Sequence, residues 1–277
     1  MTMPQAPRHY DLSLAENDFP VWSGPPRQTL MICSHMRSGS TLLGEAIHFA
    51  GELGCPLEYL HRGFRPAIAE RWGTPDLVSY VAAMHRLRTD PSGVFSIKLF
   101  WHDVEEVAYE RAPGRFPPPL TVSPDNIGAE TYRAYQAILA DILPAPVPVL
   151  LGRRDLVRQA VSAAIASQTG LWRAIPGVGR QQAIAPAAYD YDNILAYLSY
   201  ARDSADHWLG YFRALGVDPY CVTYEDLVRD YAGTVGALLT ALGRPGETPP
   251  QRMRRQSDKV GETMVLRFLR EHAARTG

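Results

Sequence analysis

The sequence predicts an α/β protein, built on a parallel β-sheet with helices on both faces. Short apolar runs typical of buried strands alternate along the chain with segments whose apolar residues recur at helical spacing. Strands that are separated by helices favour parallel pairing, because the intervening helix carries the chain back to the same end of the sheet. Ligands of such sheets bind beyond the carboxyl ends of the strands, so the residues that follow each predicted strand are the first candidates for a site.

In the first half of the chain, a strand is predicted at 29–33 and a helix at 42–50. A Thr-Pro pair is a favourable helix start and predicts a second helix over 74–87. A buried strand is predicted over 94–101, with Asp103 as the cap of the helix after it. The same alternation continues in the second half, in which the predicted elements are a proline-rich loop at 113–126, a helix at 129–143, a strand up to 152 that starts after Pro148, a helix from 156, a long loop at 170–188, a helix at 191–215, a strand at 220–223 and two further helices.

Composition excludes several classes of protein. The chain has 277 residues, 46% of them apolar, and a formal net charge of -1, so it has no general attraction for nucleic acid or anionic membranes. No apolar run approaches the roughly 18 residues of a membrane span, and the first residues lack an apolar signal core. The three cysteines do not suggest a disulfide framework. We expect one domain over 1–277, a cytoplasmic location and no nucleic-acid partner.

The turn Arg37-Ser38-Gly39-Ser40-Thr41 joins the first predicted strand to the first predicted helix. Backbone N–H groups at a helix N-terminus, together with the helix dipole, bind anions such as phosphate or sulfate. Glycine lets the backbone approach the anion closely, and Arg37 adds a charge and a planar set of donors. The turn is not a Walker A loop, since it lacks the lysine and the spaced glycines of that motif.

A second candidate anion site follows the strand that ends at Gly152. Ser162 lies eight residues after Arg154, about two turns into the next helix, so both side chains can converge on one anion. The alternative is that Arg153 and Arg154 are solvated or paired with Asp155. Two anion sites at neighbouring strand ends fit a ligand that has phosphates at both ends.

Several short motifs, in this order, make the chain similar to the trehalose 2-sulfotransferase family. The motifs are the turn from Arg37 through Leu43, Pro56-Leu57-Glu58-Tyr59, Ile97-Lys98-Leu99-Phe100-Trp101, the segment from Arg154 through Gln159-Ala160-Val161-Ser162, Gln168-Thr169 with Trp172, and Arg255-Gln256-Ser257-Asp258. The resemblance implies a P-loop NTPase-like sulfotransferase fold and transfer of a sulfo group from 3′-phosphoadenosine 5′-phosphosulfate (PAPS) to a sugar hydroxyl. It also implies no metal and suggests a homodimer.

The resemblance assigns roles to particular residues. The amides of Ser38, Gly39, Ser40 and Thr41 would hold the 5′-phosphosulfate, while Arg37 would stabilise charge that develops on the transferring group. Arg154 and Ser162 would hold the 3′-phosphate. Arg255 and Gln256 would close over the nucleotide, and Tyr224 would either stack near adenine or belong to the core.

The acceptor hydroxyl needs a base, and Glu58 matches the family's glutamate. Burial would raise its pKa toward the range of an effective base. His102 is the rival candidate and His61 a weaker one. Lys98 would reach the sulfo group or anchor the site.

The acceptor is expected to be a sugar or glycolipid, with Trp101 and Trp172 offering apolar faces to its ring or packing in the core. Cys55 and Met36 depart from the family pattern, so the family's acceptor contacts are the part of the resemblance that applies least well to this chain. Two other functions stay open at this point. The first is a P-loop-like kinase of small metabolites, dependent on ATP and magnesium. The second is a catalytically inactive nucleotide-binding protein.

Overall fold

The computed structural model describes residues 12–172, 185–252 and 259–277. Its strands are β1 (Gln28–Ser34), β2 (Val94–Phe100), β3 (Pro146–Gly152) and β4 (Tyr220–Thr223). Its α-helices are α1 (Ser40–Ala50), α2 (Arg65–Trp72), α3 (Leu77–Arg88), α4 (Trp101–Arg111), α5 (Ala129–Ala140), α6 (Leu156–Thr169), α7 (Tyr191–Leu215), α8 (Tyr224–Arg229), α9 (Tyr231–Ala241) and α10 (Lys259–Thr276). Short 3-10 turns occupy Ala15–Asn17 and Pro124–Asn126.

The four strands form a sheet in the order β2-β1-β3-β4, and all of its pairings are parallel. β1 therefore lies inside the sheet, between β2 and β3. The carboxyl ends of β1, β3 and β4 meet at one edge, where the chain enters α1, α6 and α8. This edge holds the three strand ends from which the sequence predicts ligand contacts.

Helices cover both faces of the sheet, as the sequence predicts. Along β1, Leu30 and Ile32 pack in one apolar cluster with residues of α1 and α9, whereas Met31 and Cys33 pack in another with residues of α4, α5 and α7. Successive side chains of a strand point to opposite faces, so a strand that is apolar at every position needs cover on both sides. The predicted fold class is confirmed.

Several predicted boundaries are wrong. Asp76 caps α3 in place of Thr74, because its side chain accepts a hydrogen bond from the Ser79 amide. β3 begins at Pro146, upstream of Pro148; β4 pairs with β3 only from Val149 onward, so the first half of β3 is an edge, where proline is tolerated.

Other boundaries differ at the start of α4 and the end of α5. Trp101 is the first residue of α4, and Asp103 stabilises that helix start from inside it by accepting from the Phe100 amide. α5 ends at Ala140, three residues early, and α2 has no counterpart in the sequence prediction. Among the described residues, no helix is long and apolar enough to cross a membrane.

Candidate active site at the carboxyl edge of the sheet

The turn between β1 and α1 is closed by its own polar groups. The Ser38 hydroxyl and the Ser38 amide both donate to the His35 carbonyl, at 2.7 and 3.3 Å. The first main-chain bond of α1 runs from the Leu43 amide to the Gly39 carbonyl at 3.1 Å. The amides of Ser40 and Thr41 precede that bond and form the positive end of the helix, which is the part of the turn suited to an anion.

Two residues of this turn have left-handed backbone, Arg37 at φ 61° and Gly39 at φ 90°. At position 39 a Cβ would also lie 2.7 Å from Cδ2 of Tyr224, the first residue of α8. Tyr224 therefore packs directly beneath the turn, and both the backbone angle and this contact require glycine. Its contact with Gly39 makes Tyr224 a support of the turn.

Side chains from the β3–α6 region hold the turn from its other side. Arg153 donates from Nη1 to the Arg37 carbonyl at 2.9 Å, and Gln159 donates from Nε2 to the Met36 carbonyl at 2.7 Å. The Arg153 guanidinium also lies 4.4 Å from the centre of the Tyr224 ring. These contacts bind the two carbonyls of the turn and stabilise the uncommon backbone of Arg37.

The Arg37 side chain lies between two segments that are distant in sequence. Its Nε donates to the Ser162 hydroxyl at 2.9 Å, and its Nη1 donates to the Trp172 carbonyl at 2.5 Å. Burial, and then the charge of Arg153, lower the pKa of Arg37 below its ordinary value. The structure thus joins Arg37 from the first predicted anion site to Ser162 from the second.

Arg154, the predicted partner of Ser162, pairs with residues of α8. Its Nη2 lies 2.5 Å from Asp226, its backbone amide donates to Glu225, and 58% of its side chain is exposed. The sequence analysis missed Arg153 and Gln159 as supports of the turn. Arg153 is the neighbour of the residue chosen by spacing, but neither side chain's direction is readable from a sequence.

Glu58 and Lys98 form a buried ion pair. Lys98 Nζ lies 2.9 Å from Glu58 Oε1, and their side chains are 4% and 9% exposed, respectively. Lys98 extends from β2, and its amide donates to the Leu57 carbonyl at 3.0 Å, which fixes the loop that carries Glu58 beside the strand. The pair places a carboxylate and an ammonium group in contact and shields both from bulk water.

His102, the rival base, has a polar side chain close to each ring nitrogen. Nδ1 lies 2.5 Å from the Tyr200 hydroxyl on α7, and Nε2 lies 3.1 Å from Asp103 Oδ1. Burial lowers the pKa of His102, but contact with the Asp103 carboxylate raises it more, and the net shift is upward. His61 packs against His102, with ring centres 5.2 Å apart.

The two tryptophans differ in position. Trp101 is 1% exposed and is stacked on His207 in the core, so packing explains it and its faces are covered. Trp172 is 41% exposed, and its backbone carbonyl accepts from Arg37. Arg255 and Gln256 lie outside the described residues.

A turn at the N-terminus of α1, the arginine beside it and a buried carboxylate–lysine pair are the groups that an enzyme transferring an anionic group would use. Over residues 29–271 the chain matches the family model described as Stf0 sulphotransferase. It therefore belongs to that family and is a sulfotransferase.

Relatives that carry an assigned activity agree with this family. The chain is 29% identical to a trehalose 2-sulfotransferase of Mycobacterium tuberculosis (strain Erdman), covering 89% of this chain and 96% of that protein. It is also 29% identical to a trehalose 2-sulfotransferase of Mycolicibacterium smegmatis, covering 87% of this chain and 94% of that protein. A crystal structure of a sulfotransferase from Alicyclobacillus acidocaldarius aligns with 91% of this chain at 14% identity and a TM-score of 0.44.

Proposed function

We propose that this enzyme transfers a sulfo group from PAPS to a hydroxyl of a sugar or glycolipid, and that trehalose is the first acceptor to test. The observation that carries the proposal is the contact of Arg37 with Ser162, which brings the β1–α1 turn and α6 to one point. A donor with a 5′-phosphosulfate and a 3′-phosphate needs anion contacts at two neighbouring places. The acceptor class is suggested by the names of the two mycobacterial relatives.

In the proposed reaction the acceptor oxygen attacks the sulfur of the donor. A new O–S bond forms, the bond from sulfur to the bridging phosphate oxygen breaks, and 3′,5′-adenosine bisphosphate leaves with the electron pair. The amides of Gly39, Ser40 and Thr41 and the guanidinium of Arg37 stabilise the charge on the leaving phosphate. Ser38 contributes less directly, since it closes the turn. Ser162 and Arg154 bind the 3′-phosphate. To do so, the Arg154 guanidinium must release the Asp226 carboxylate, with which it is paired.

Glu58 is the proposed base that takes the acceptor proton. A base needs a free lone pair within reach of the hydroxyl. Glu58 lies in the loop after α1 with its carboxylate 2.9 Å from the Lys98 ammonium, whereas His102 has the Tyr200 hydroxyl at Nδ1 and faces the Asp103 carboxylate with Nε2. As the proton reaches Glu58, Lys98 loses its charged partner and is free to attract the sulfo oxygens.

Sulfo transfer to a panel of sugars, read by mass spectrometry, tests the proposal. We expect product with PAPS and trehalose, a fall in kcat of about 10²–10⁴ in Glu58→Gln, and little change in Glu52→Gln, an exposed control just beyond the C-terminal end of α1. Thermal stabilisation by 3′,5′-adenosine bisphosphate is expected as well. Stabilisation by ATP with magnesium alone would contradict the donor. Full turnover of Glu58→Gln would contradict the base.

The remaining parts of the proposal concern the setting of the enzyme. We infer one catalytic domain over 1–277, and a cytoplasmic location supported by three cysteines that are free thiols. A homodimer is supported by exposed apolar side chains on α10, Val260, Leu266 and Leu269. Light scattering of the purified protein tests the dimer. Membership of the sulfotransferase family disfavours the kinase and the inactive-protein alternatives.

A further inference from the structure

We propose that His61, His102 and Asp103 form a binding site for a divalent transition-metal ion, best matched by Zn²⁺. Each of the three residues offers one ligand atom, and these atoms all lie within 4.8 Å of one another. Two imidazoles and one carboxylate are a donor set that Zn²⁺ uses in proteins, and three protein ligands leave a fourth position for water or another ligand. The site was not expected from the sequence, for which the family resemblance implied no metal.

The Asp103 carboxylate is arranged as a ligand would be. Its side chain is fully buried, and Oδ2 accepts from the Phe100 amide at 3.0 Å, which orients the group. The other oxygen, Oδ1, is buried and receives no well-aligned hydrogen bond from the described part of the chain. A buried carboxylate oxygen without a donor is costly, and a cation is one way to offset that cost.

The position of His102 fits the same ion. Its Nε2 lies 3.1 Å from Asp103 Oδ1. With zinc–ligand bonds of about 2.0–2.2 Å, that separation corresponds to an angle of roughly 90–100° at the metal, close to a distorted tetrahedron. The opposite nitrogen, Nδ1, is 2.5 Å from the Tyr200 hydroxyl. When Nδ1–H donates to this hydroxyl, Nε2 carries the lone pair that a metal needs.

His61 completes the cluster from the turn that follows Glu58. Its ring lies edge-to-face with that of His102, at 78°, and its ligand atom lies within 4.8 Å of those of His102 and Asp103. In the metal-free form Nδ1 of His61 accepts from the Gly63 amide at 2.9 Å. Binding through Nε2 moves the ring proton to Nδ1 and breaks this exposed contact, so His61 is the ligand that responds to the metal.

The site has a consequence for the neighbouring carboxylate. The His61 amide donates to the Glu58 carbonyl at 3.2 Å. A metal held by His61, His102 and Asp103 therefore ties the turn that carries Glu58 to the start of α4. Metal binding itself needs neither donor nor acceptor, so it is measurable whether or not the proposed sulfo transfer is correct.

Titration of untagged, chelator-treated protein with Zn²⁺, followed by calorimetry, tests the site. We expect one ion per chain, with affinity at least tenfold weaker in His61→Ala and in Asp103→Asn, which keeps an oxygen for the Phe100 amide. Tyr200→Phe should weaken binding about tenfold by releasing Nδ1 of His102. His48→Gln, which removes a histidine elsewhere on α1, should bind as the unaltered chain does.

The same titration with Co²⁺ identifies the ligands. Visible bands of a nitrogen- and oxygen-ligated ion are expected, and they should be lost in Asp103→Asn while circular dichroism shows the fold retained. The proposal is overturned if no ion binds, if His61→Ala and Asp103→Asn bind as tightly as the unaltered chain, or if a strong thiolate band shows that the exposed Cys221 is the ligand.

Discussion

Arg37 Nε donates a hydrogen bond of 2.9 Å to the hydroxyl of Ser162, a residue 125 positions further along the chain. The bond connects the turn after β1 to the second turn of α6. Both residues come from motifs that the sequence places at different strand ends, and the parallel sheet brings them together because β1 and β3 are neighbours. An anion bound here, as proposed, would meet a guanidinium, a hydroxyl and the N-terminus of α1.

Ser162→Ala is expected to weaken binding of the donor and of 3′,5′-adenosine bisphosphate by about 10- to 100-fold, since hydrogen bonds to charged groups contribute roughly 1.5–3 kcal/mol. The loss comes both from the missing hydroxyl and from a freer Arg37. Calorimetry with the bisphosphate measures it. Ser167→Ala is the matched control, because Ser167 lies on the same helix and only donates to the Ala164 carbonyl. Equal affinities for the two variants would contradict a role for Ser162 in the donor site.

The sequence predicted this region well because its signals are local. A strand, a turn containing glycine and a helix N-terminus each leave a pattern within a few residues. β1, α1 and the strand ends at Arg37, Arg154 and Tyr224 follow from such patterns. Packing of both faces of β1 was also predictable, because its consecutive residues 30–33 are all apolar.

The contacts around the turn were not predictable, because they depend on side-chain direction across the sheet. Arg153 and Arg154 are adjacent, and spacing favoured Arg154, yet Arg153 holds the Arg37 carbonyl while Arg154 turns to Asp226. Trp101 shows the same limit, since a tryptophan at a strand end suits a sugar site or a core equally well in sequence. The pairing of His102 with Tyr200, 98 residues away, leaves no local pattern at all.

Gly39→Ala is expected to lower the free energy of unfolding by about 1–3 kcal/mol. The loss in the free energy of bisphosphate binding should be larger than this loss in stability. The residue has φ 90°, and a Cβ would lie 2.7 Å from the Tyr224 ring, so the turn must shift. Urea denaturation and calorimetry measure the two effects. Gly152→Ala is the control, since Gly152 ends β3 with open space around a Cβ. A Gly39→Ala protein that binds like Gly152→Ala would show that the turn does not hold the donor.

The effects of replacing Glu58 and Lys98 on the free energy of unfolding are expected to depend strongly on each other. Lys98→Met leaves a buried carboxylate without its cation, which costs about 3–5 kcal/mol. Adding Glu58→Gln removes the uncompensated charge, so the double variant should be more stable than the sum of the two single losses predicts, by at least about 1 kcal/mol. Urea denaturation of the four proteins gives the coupling. Additive losses would mean that the two groups do not interact in solution at the observed 2.9 Å.

Acid sensitivity is expected from a histidine that the fold keeps neutral. His207 lies in the core against Trp101, and burial lowers its pKa from 6.5 to about 4. Between these values the unfolded chain binds a proton that the folded chain does not, so stability is fully present above pH 6.5 and is lost as the pH falls toward 4. For this one group the loss from pH 7.5 to pH 5 is about 2 kcal/mol.

His207→Gln should therefore flatten the dependence of unfolding free energy on pH by about that amount, although it lowers stability at neutral pH through the lost contact with the Tyr132 hydroxyl. Urea denaturation at several pH values between 7.5 and 5 measures both quantities. His35 is also buried with a pKa lowered to about 4, so part of the slope must remain in the variant. If the slope of His207→Gln equals that of the unaltered chain, His207 is not kept neutral by burial in the core.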